Sequence, residues 1–400
     1  MKGLYKYPQA PFPYLDLLET NRRLSRLDPE YELLDTGALM DERYFDVQVE
    51  YAKADENDIL IKITCTNRGP DTKTLQVLPQ LWYRNTWSWA RTNDDEGYFA
   101  EPSIVVDKGN DKDFKRLKSA HESLGEFYLA SQSEGLGEIL FCDNETNNER
   151  LFASPSRSKY VKDAFSRYLV DNEKSAVNPA KVGTKAAFVY TLLIPSGASK
   201  TICLRLSNKN TCAIDKTFEN IFATRLAEAD EYYKAIIPQN LSQDLQTIDR
   251  QAYASLLWTK QFYNYVVSQW LEGDSNSPPP NRIDPINTAW KNIYNRDIIS
   301  MPDKWEYPWY AIWDTAFHMV VMAKVDPYFA KDQLILFLRE WYMRHDGQLP
   351  AYEFNFSDVN PPVHAWAAWR VYKIEQRHHG RTDRAFLERV FHKLLLNFTW

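Results

Sequence analysis

Residues 199–237, SKTICLRLSNKNTCAIDKTFENIFATRLAEADEYYKAII, change their period halfway. Up to Leu206 apolar and polar side chains alternate, the pattern of a strand with one buried face. From Ile214 the apolar residues recur every three to four positions, the spacing of an amphipathic helix. The two halves of the chain extend from this stretch in opposite directions.

Toward the N-terminus the alternation continues. YFDVQVEY (44–51) and ILIKITCT (59–66) enclose the polar turn ADEND, and NRGPD leads into TLQVLPQLWYRN (74–85). EFYLASQ (126–132), EILFCD (138–143) and KAAFVYTLLI (185–194) follow, with PSGA as the turn before the quoted strand. Many short strands with polar connections predict an antiparallel β-sandwich over residues 1–212. Within it, PYLDLLETNRRLSRL (13–27) reads as an early helical segment, and the first residues are Tyr/Pro-rich without pattern.

Toward the C-terminus the helical period holds. Residues 213–244 are predicted as a linker helix, and DLQTIDRQAYASLLWTKQFYNYVVSQWL (244–271) as a second, longer helix. GDSNSPPPNRIDP (273–285) breaks the pattern as a loop. Four helical runs with start signals then follow. Asp314 is placed to cap TAFHMVVMAKV, and Asp326 with Pro327 to start YFAKDQLILFLREWYM. Asn360, Pro361 and Pro362 open VHAWAAWRVYKIEQRHH, and Asp383 opens the run to Trp400. Short and long connections alternate, as in a ring of helical hairpins. Roughly five helices are recognisable from residue 245, where a closed double ring needs about twice that. The fold class expected is therefore multidomain β + α: a β-sandwich, then an incomplete α/α toroid over 245–400. The unpatterned start and the apolar end at NFTW are read as truncation at both ends.

Composition limits the function. The chain of 400 residues carries a formal net charge of −6 and no basic run, which speaks against nucleic acid or anionic membrane as partners. MKGLYKYPQAPFPY has no apolar leader core and no stretch of about 18 apolar residues occurs, so a cytoplasmic location is expected. Cys65, Cys142, Cys203 and Cys212 lack metal spacing and read as core thiols. His318, His364, His378 and His379 have no H-E-x-x-H companion, and no G-x-S-x-G or phosphate loop is present. No cofactor is expected. The acidic stretches TNDDEGY (92–98) and DNETNNE (143–149) leave calcium open without the EF-hand spacing. Aromatic residues make up 14%, a density that serves either a large core or stacking on sugar rings.

Residues 306–318, EYPWYAIWDTAFH, put a carboxylate among Trp309, Tyr310, Trp313 and Phe317. An Asp in such a wall is expected to hold its proton near neutral pH and to be able to donate it. As a helix N-cap the same Asp would favour the anion. Residue types alone leave both readings open. Glu306, Asp297, Glu353 and Asp358 are the other carboxylates in the neighbouring segments.

WEYPWYAIWDTAFH (305–318) and DGQLPAYEFNFSDVNPPVHAWA (346–367) together resemble glycoside hydrolase family 63, which holds the processing α-glucosidases and mannosylglycerate hydrolases. NTAWKNIYNRDIISMPDKWEYPW (287–309) and LPQLWYRNTWSW (78–89) are similar to its bacterial, glucosidase-like branch. The resemblance implies an (α/α)6 barrel after the β-sandwich, and inverting hydrolysis of α-glycosides by two carboxylates. The Asp of its W-D-x-x-F-H block, here Asp314, is implied as general acid; its general-base Glu belongs to a later part of the barrel, beyond residue 400. Tyr307, Trp309, Trp313 and Phe317, with Glu306, are the candidate sugar-binding wall. Glu353, His364 and Trp366 are expected on the opposite rim, bonding the hydroxyls of a small oligosaccharide or glycoside. The alternatives are a fragment without turnover that at most binds carbohydrate, and an α/α-barrel lyase, against which the acidic net charge speaks.

Overall fold

In the computed structural model, which describes residues 1–89, 99–109, 113–210, 214–273, 287–303, 306–352 and 355–400, the segments of period two form strands. Two units are distinguished, Met1–Ala227 and Glu228–Trp400.

The first unit contains β1 (Lys2–Pro8), β2 (Tyr44–Asp55), β3 (Asp58–Asn67), β4 (Lys73–Val77), β5 (Gln80–Trp82) and β6 (Ser103–Val106). It continues with β7 (Phe114–His121), β8 (Gly125–Gln132), β9 (Leu136–Cys142), β10 (Val182–Gly183), β11 (Lys185–Ile194) and β12 (Ser199–Ser207). Eight of these form one sheet in the order β1-β2-β3-β12-β8-β7-β6-β10, and β4, β5 and β9 pair with β11 in a second. The start of the chain, which lacks a recognisable pattern, is thus an edge strand, paired from Lys2 opposite Glu50 to Pro8 opposite Tyr44. Inward residues of both sheets make one core: Ile63, Leu117, Leu129 and Leu204 from the first meet Phe141, Phe188, Leu192 and Ile194 from the second. Two buried polar groups tie the sheets together. Tyr190 on β11 donates to the Gln132 carbonyl (2.5 Å) and meets Ser131 Oγ at 2.7 Å, both on β8. Asn67 at the end of β3 donates to the carbonyls of Asp71 (2.8 Å) and Ile194 (2.9 Å) while its Oδ1 accepts from Gln9 and Gly69. Each would be costly to bury without those partners. Cys65, Cys142 and Cys203 are buried free thiols, pushed up to about 11, 12 and 11 by burial; Cys212 lies outside the described residues. Of the early helical segment only α1 (Tyr14–Asn21) is helical, and the short α2 (Asn148–Phe152) and α3 (Ala164–Leu169) lie between β9 and β10. The helix α4 (Thr217–Ile236) runs across the division between the units.

In the second unit the end of α4 is followed by α5 (Gln243–Trp258), where one long helix was expected to run to Leu271. The helix instead ends at Trp258 and β13 (Lys260–Val266) follows, then α6 (Val267–Glu272) and β14 (Tyr294–Ser300). KQFYNYV is rich in aromatic residues, and its partner YNRDIIS follows the expected loop GDSNSPPPNRIDP, of which residues 274–285 lie outside the described residues, with Lys260 opposite Ser300 and Val266 opposite Tyr294. A local pattern that suits both structures is decided by that distant partner.

The remaining elements are α7 (Ile312–Val325), α8 (Pro327–Leu336), the ribbon β15 (Pro350–Tyr352) and β16 (Asn355–Val359), α9 (Val363–His379) and α10 (Arg384–Thr399). Asp326 and Asp383 cap α8 and α10 as their sequences predict, accepting from Phe329 N (3.0 Å) and Phe386 N (2.9 Å). Asp314 does not cap α7: the helix is entered through Ala311, and Asp314 is its third residue. Helix α8 stops seven residues before the expected Met343, because Phe337 and Tyr342 turn inward as buried rings. With Tyr310 they form a triple contact, with centroid separations of 5.2 Å, 5.4 Å and 6.0 Å. Around it the helices approach through small residues, Ala316 and Ala323 on α7, Ala330 on α8, Ala367 and Ala368 on α9. Lys331 on α8 is buried between Glu375 (2.9 Å) on α9 and Asp383 (2.7 Å), so one cation joins three helices.

Gly347, at φ +97°, lets the chain turn back against α10; a Cβ there would strike the Leu396 carbonyl. Left-handed backbone and backbone contact together make Gly347→Ala destabilising by more than about 1 kcal/mol, the usual cost of the φ alone. Gly380, at φ +66° with open space around it, isolates that backbone cost. Equilibrium unfolding should rank Gly347→Ala clearly below Gly380→Ala; equal losses would remove the clash from the argument.

Candidate active site

The first turn of α7 distributes its side chains by helical period. Ile312, Thr315, Ala316 and Met319 are buried, while Trp313 and Phe317 point outward at 39% and 45% exposure. Asp314 lies between these faces, half-buried, and no hydrogen-bond partner engages its carboxylate among the described residues. The wall around it is therefore open rather than closed.

A hydrogen-bond network of five residues fixes this turn. Thr315 donates to the Ser300 carbonyl (3.1 Å), and Ser300 N donates to Gln333 Oε1 (3.1 Å) on α8. Ser300 Oγ lies 3.0 Å from His318 Nδ1 and 2.7 Å from Thr259 Oγ1. His318, one turn beyond Asp314, is thereby held against β14. Burial lowers its pKa, and the Asp314 charge opposes that shift.

The outward rings fall into two groups. Trp313 meets Phe317 edge-on at 6.3 Å, and Phe317 meets Trp366 of α9 at 5.4 Å. Trp366 thus stands beside the α7 rings and not on a rim opposite them. Tyr307 and Trp309 form the second group (5.4 Å), with Tyr352 of β15 at 6.1 Å from Trp309. Glu306 is exposed, and Asp358 is exposed on β16. Asp297 accepts from the buried Tyr342 hydroxyl at 3.1 Å. Glu353 lies outside the described residues.

His364 is buried at 3% exposure in the first turn of α9. Its Nε2 is 2.8 Å from the Leu334 carbonyl, which can only accept, so the proton is on Nε2. Nδ1 has no partner among the described residues, and burial lowers the pKa to about 4. Asn360, read from sequence only as a helix opener, donates to the Leu349 carbonyl (2.5 Å), and its buried Oδ1 has no partner among the described residues. Tyr352 and Ser300 were not singled out by sequence: nothing in a single chain marks which polar residue will be buried.

No group of three or more metal-ligating side chains converges among the described residues. TNDDEGY lies outside them. In DNETNNE, Asp143 accepts from Ser158 and Thr184 N, and Glu145 is held by Trp87 and Arg157. No helix among the described residues is long and apolar enough to cross a membrane.

Residues 307–400 match the family model described as mannosylglycerate hydrolase MGH1-like glycoside hydrolase domain. A Saccharomyces cerevisiae protein described as uncharacterized protein YMR196W is 44% identical over 437 residues, covering 100% of this chain and 40% of the relative. The chain thus spans well under half of that relative's length. Among solved structures, polysaccharide lyase BACCELL_00875 covers 88% of this chain and 56% of its own at 9% identity, with a TM-score of 0.24. A human-microbiome protein given provisionally as a kojibiose phosphorylase covers 88% and 52% at 8% identity, with a TM-score of 0.22. Likeness this slight carries no argument.

The His364 geometry makes stability depend on pH in a definite direction. Folded His364 protonates only near pH 4, whereas the unfolded imidazole protonates near 6.5. The stabilisation is complete above about pH 6.5 and is lost as pH falls toward 4, on the order of 3 kcal/mol in all. Denaturant titrations at pH 7.5 and 5 should show a smaller pH-dependent loss in His364→Gln, which retains an amide donor for Leu334. An unchanged loss would mean that other groups carry it.

Proposed function

We propose that this chain carries the general-acid part of an inverting α-glycoside hydrolase, glucosidase-like, within the incomplete (α/α)6 toroid expected from its sequence. The observation that supports it most is Asp314: a half-buried carboxylate between Trp313 and Phe317, neither capping its helix nor held in a hydrogen bond. The glycoside hydrolase-like match over residues 307–400 contains it.

In this reading Trp313, Phe317 and Trp366 offer flat apolar faces to the C–H face of a sugar, and Tyr307 and Trp309 extend the wall. Asp314 gives its proton to the glycosidic oxygen as the bond to the anomeric carbon breaks. A general-base Glu, assigned to no residue of these 400, takes a proton from the water that attacks the opposite face. Ser300 and Thr315 are positioning residues that set the turn bearing the acid. A second reading, a sugar-binding module without turnover, draws on the same exposed rings and needs no acid.

Asp314→Asn in the natural full-length protein separates the two. Loss of the proton donor should lower turnover on a natural α-glycoside by about 10²–10⁴-fold. A glycosyl fluoride, whose leaving group needs little protonation, should lose far less. The first-turn charge accounts for only about 0.3–1 kcal/mol of folding stability, so the variant should remain folded. A folded variant with most of its activity on the natural glycoside would end the acid assignment.

A further inference from the structure

The protons below Asp314 can be followed one by one, because each hydroxyl has a single hydrogen to give. Thr259, just past the end of α5, donates to the Leu256 carbonyl (2.6 Å). Its oxygen, 2.7 Å from Ser300 Oγ, is left to accept, so the Ser300 proton goes to Thr259. Ser300 Oγ, 3.0 Å from His318 Nδ1, is left to accept in turn, which puts the imidazole proton on Nδ1. Nε2 keeps the lone pair and makes no hydrogen bond among the described residues. At 3.6 residues per turn, His318 projects about 40° past Asp314 and about 60° short of Thr315 around α7. Thr315 faces the Ser300 carbonyl (3.1 Å). The half-buried ring therefore stands between them, with Nδ1 on the Ser300 flank and Nε2, which diverges from it, on the Asp314 flank. Charged groups on the elements packed against α7 are engaged elsewhere. Lys260 of β13 is bound to Asp326, Lys331 of α8 to Glu375 and Asp383, and Arg250 of α5 to Asp230. Asp297 of β14 takes the Tyr342 hydroxyl, and His364 of α9 is neutral. Asp314 is the charge that bears on His318.

We propose that Thr259, Ser300 and His318 are positioning residues for Asp314: the two hydroxyls pin the His318 proton on Nδ1, so that the ring turns a lone pair, and not an N–H, toward the carboxyl. A lone pair favours a protonated carboxyl and repels a carboxylate. An N–H in its place would donate to the carboxylate and favour the anion. The fixed tautomer thus helps Asp314 to hold the proton it is to give away. Burial of His318 works in the same direction, because it keeps the ring from taking that proton itself. The tautomer rests on the hydrogen bonds alone, and its bearing on catalysis rests on the reading of Asp314 as general acid.

Two measurements on the natural full-length protein test this. Nitrogen-15 NMR of protein labelled at the histidine ring nitrogens reads the tautomer without any substrate, with His318→Asn identifying the signal. At neutral to alkaline pH His318 should show a protonated Nδ1 and a bare Nε2; a proton on Nε2 overturns the inference. The second is the pH profile of kcat/KM on an α-linked disaccharide that the protein hydrolyses. Thr259→Val frees the Ser300 hydroxyl to donate to Nδ1, which moves the ring proton to Nε2 and favours the Asp314 anion. The acid form is then lost at lower pH, so the alkaline limb should fall by about half to one pH unit. Thr259→Ser, which keeps the hydroxyl, should restore it. Ser300→Ala removes the acceptor for Nδ1 and should move the limb the same way, which keeps the test open if Thr259→Val folds poorly. A variant that merely weakens the fold loses activity at every pH without moving the limb. A limb that stays in place in both variants overturns the inference while Asp314 remains the acid. Asp314→Asn that keeps most of its activity defeats the acid assignment itself and leaves the tautomer result standing.

Discussion

The helical unit depends on burying one face of α7. Ile312, Ala316, Met319 and Ala323 lie in the core with Leu334 and Phe337, and Ala367 and Val371 close from α9. Close approach through alanines leaves little freedom of rotation about the helix axis. Once that face is fixed, the 3.6-residue period fixes the rest: Trp313 and Phe317 must face outward, and Asp314 must sit at their margin. The chemistry at the turn is a consequence of the packing behind it. The hydrogen bonds of Ser300 with Thr315, His318 and Gln333 add directional restraint where apolar contact alone would tolerate small shifts.

The sheet unit solves a different problem. Its two sheets share one apolar core, and non-directional contacts of that kind permit sliding. Tyr190 with Ser131 and Gln132, and Asn67 with Ile194, join the sheets by hydrogen bonds buried within the unit. A buried donor that loses its acceptor costs more than a surface bond gains, so such groups specify one alignment.

Much of this was legible in the sequence where the information is local. Strands β2, β3, β4, β8, β9, β11 and β12 follow from alternation, while β6, β7 and β10 were not singled out, and Asp326–Pro327 and Asp383 mark helix starts that the structure contains. What was not legible depended on partners far along the chain. Residues 260–266 look helical beside α5 and become a strand because Tyr294–Ser300 pairs with them. Residues 2–8 have no pattern of their own and become an edge strand on β2. At the candidate site the role of Asp314 as a cap did not survive, since Ala311 begins the helix. Trp366, expected on an opposite rim, packs against Phe317, and Asn360 was read only as a helix opener, because which helix face meets which is a tertiary fact.

The glycoside hydrolase-like match, the free half-buried carboxylate and the exposed rings converge on one proposed chemistry, in which a proton passes from Asp314 to a glycosidic oxygen as water attacks from the far side. Inversion at the anomeric carbon is the stereochemical signature of that arrangement. The most direct measurement is proton NMR of an α-linked disaccharide panel incubated with the natural full-length protein, read before mutarotation equilibrates the product. The account predicts that one α-glycoside is consumed and that the β-anomer of the released sugar appears first. First appearance of the α-anomer would contradict it, as would a folded protein that binds these sugars and consumes none.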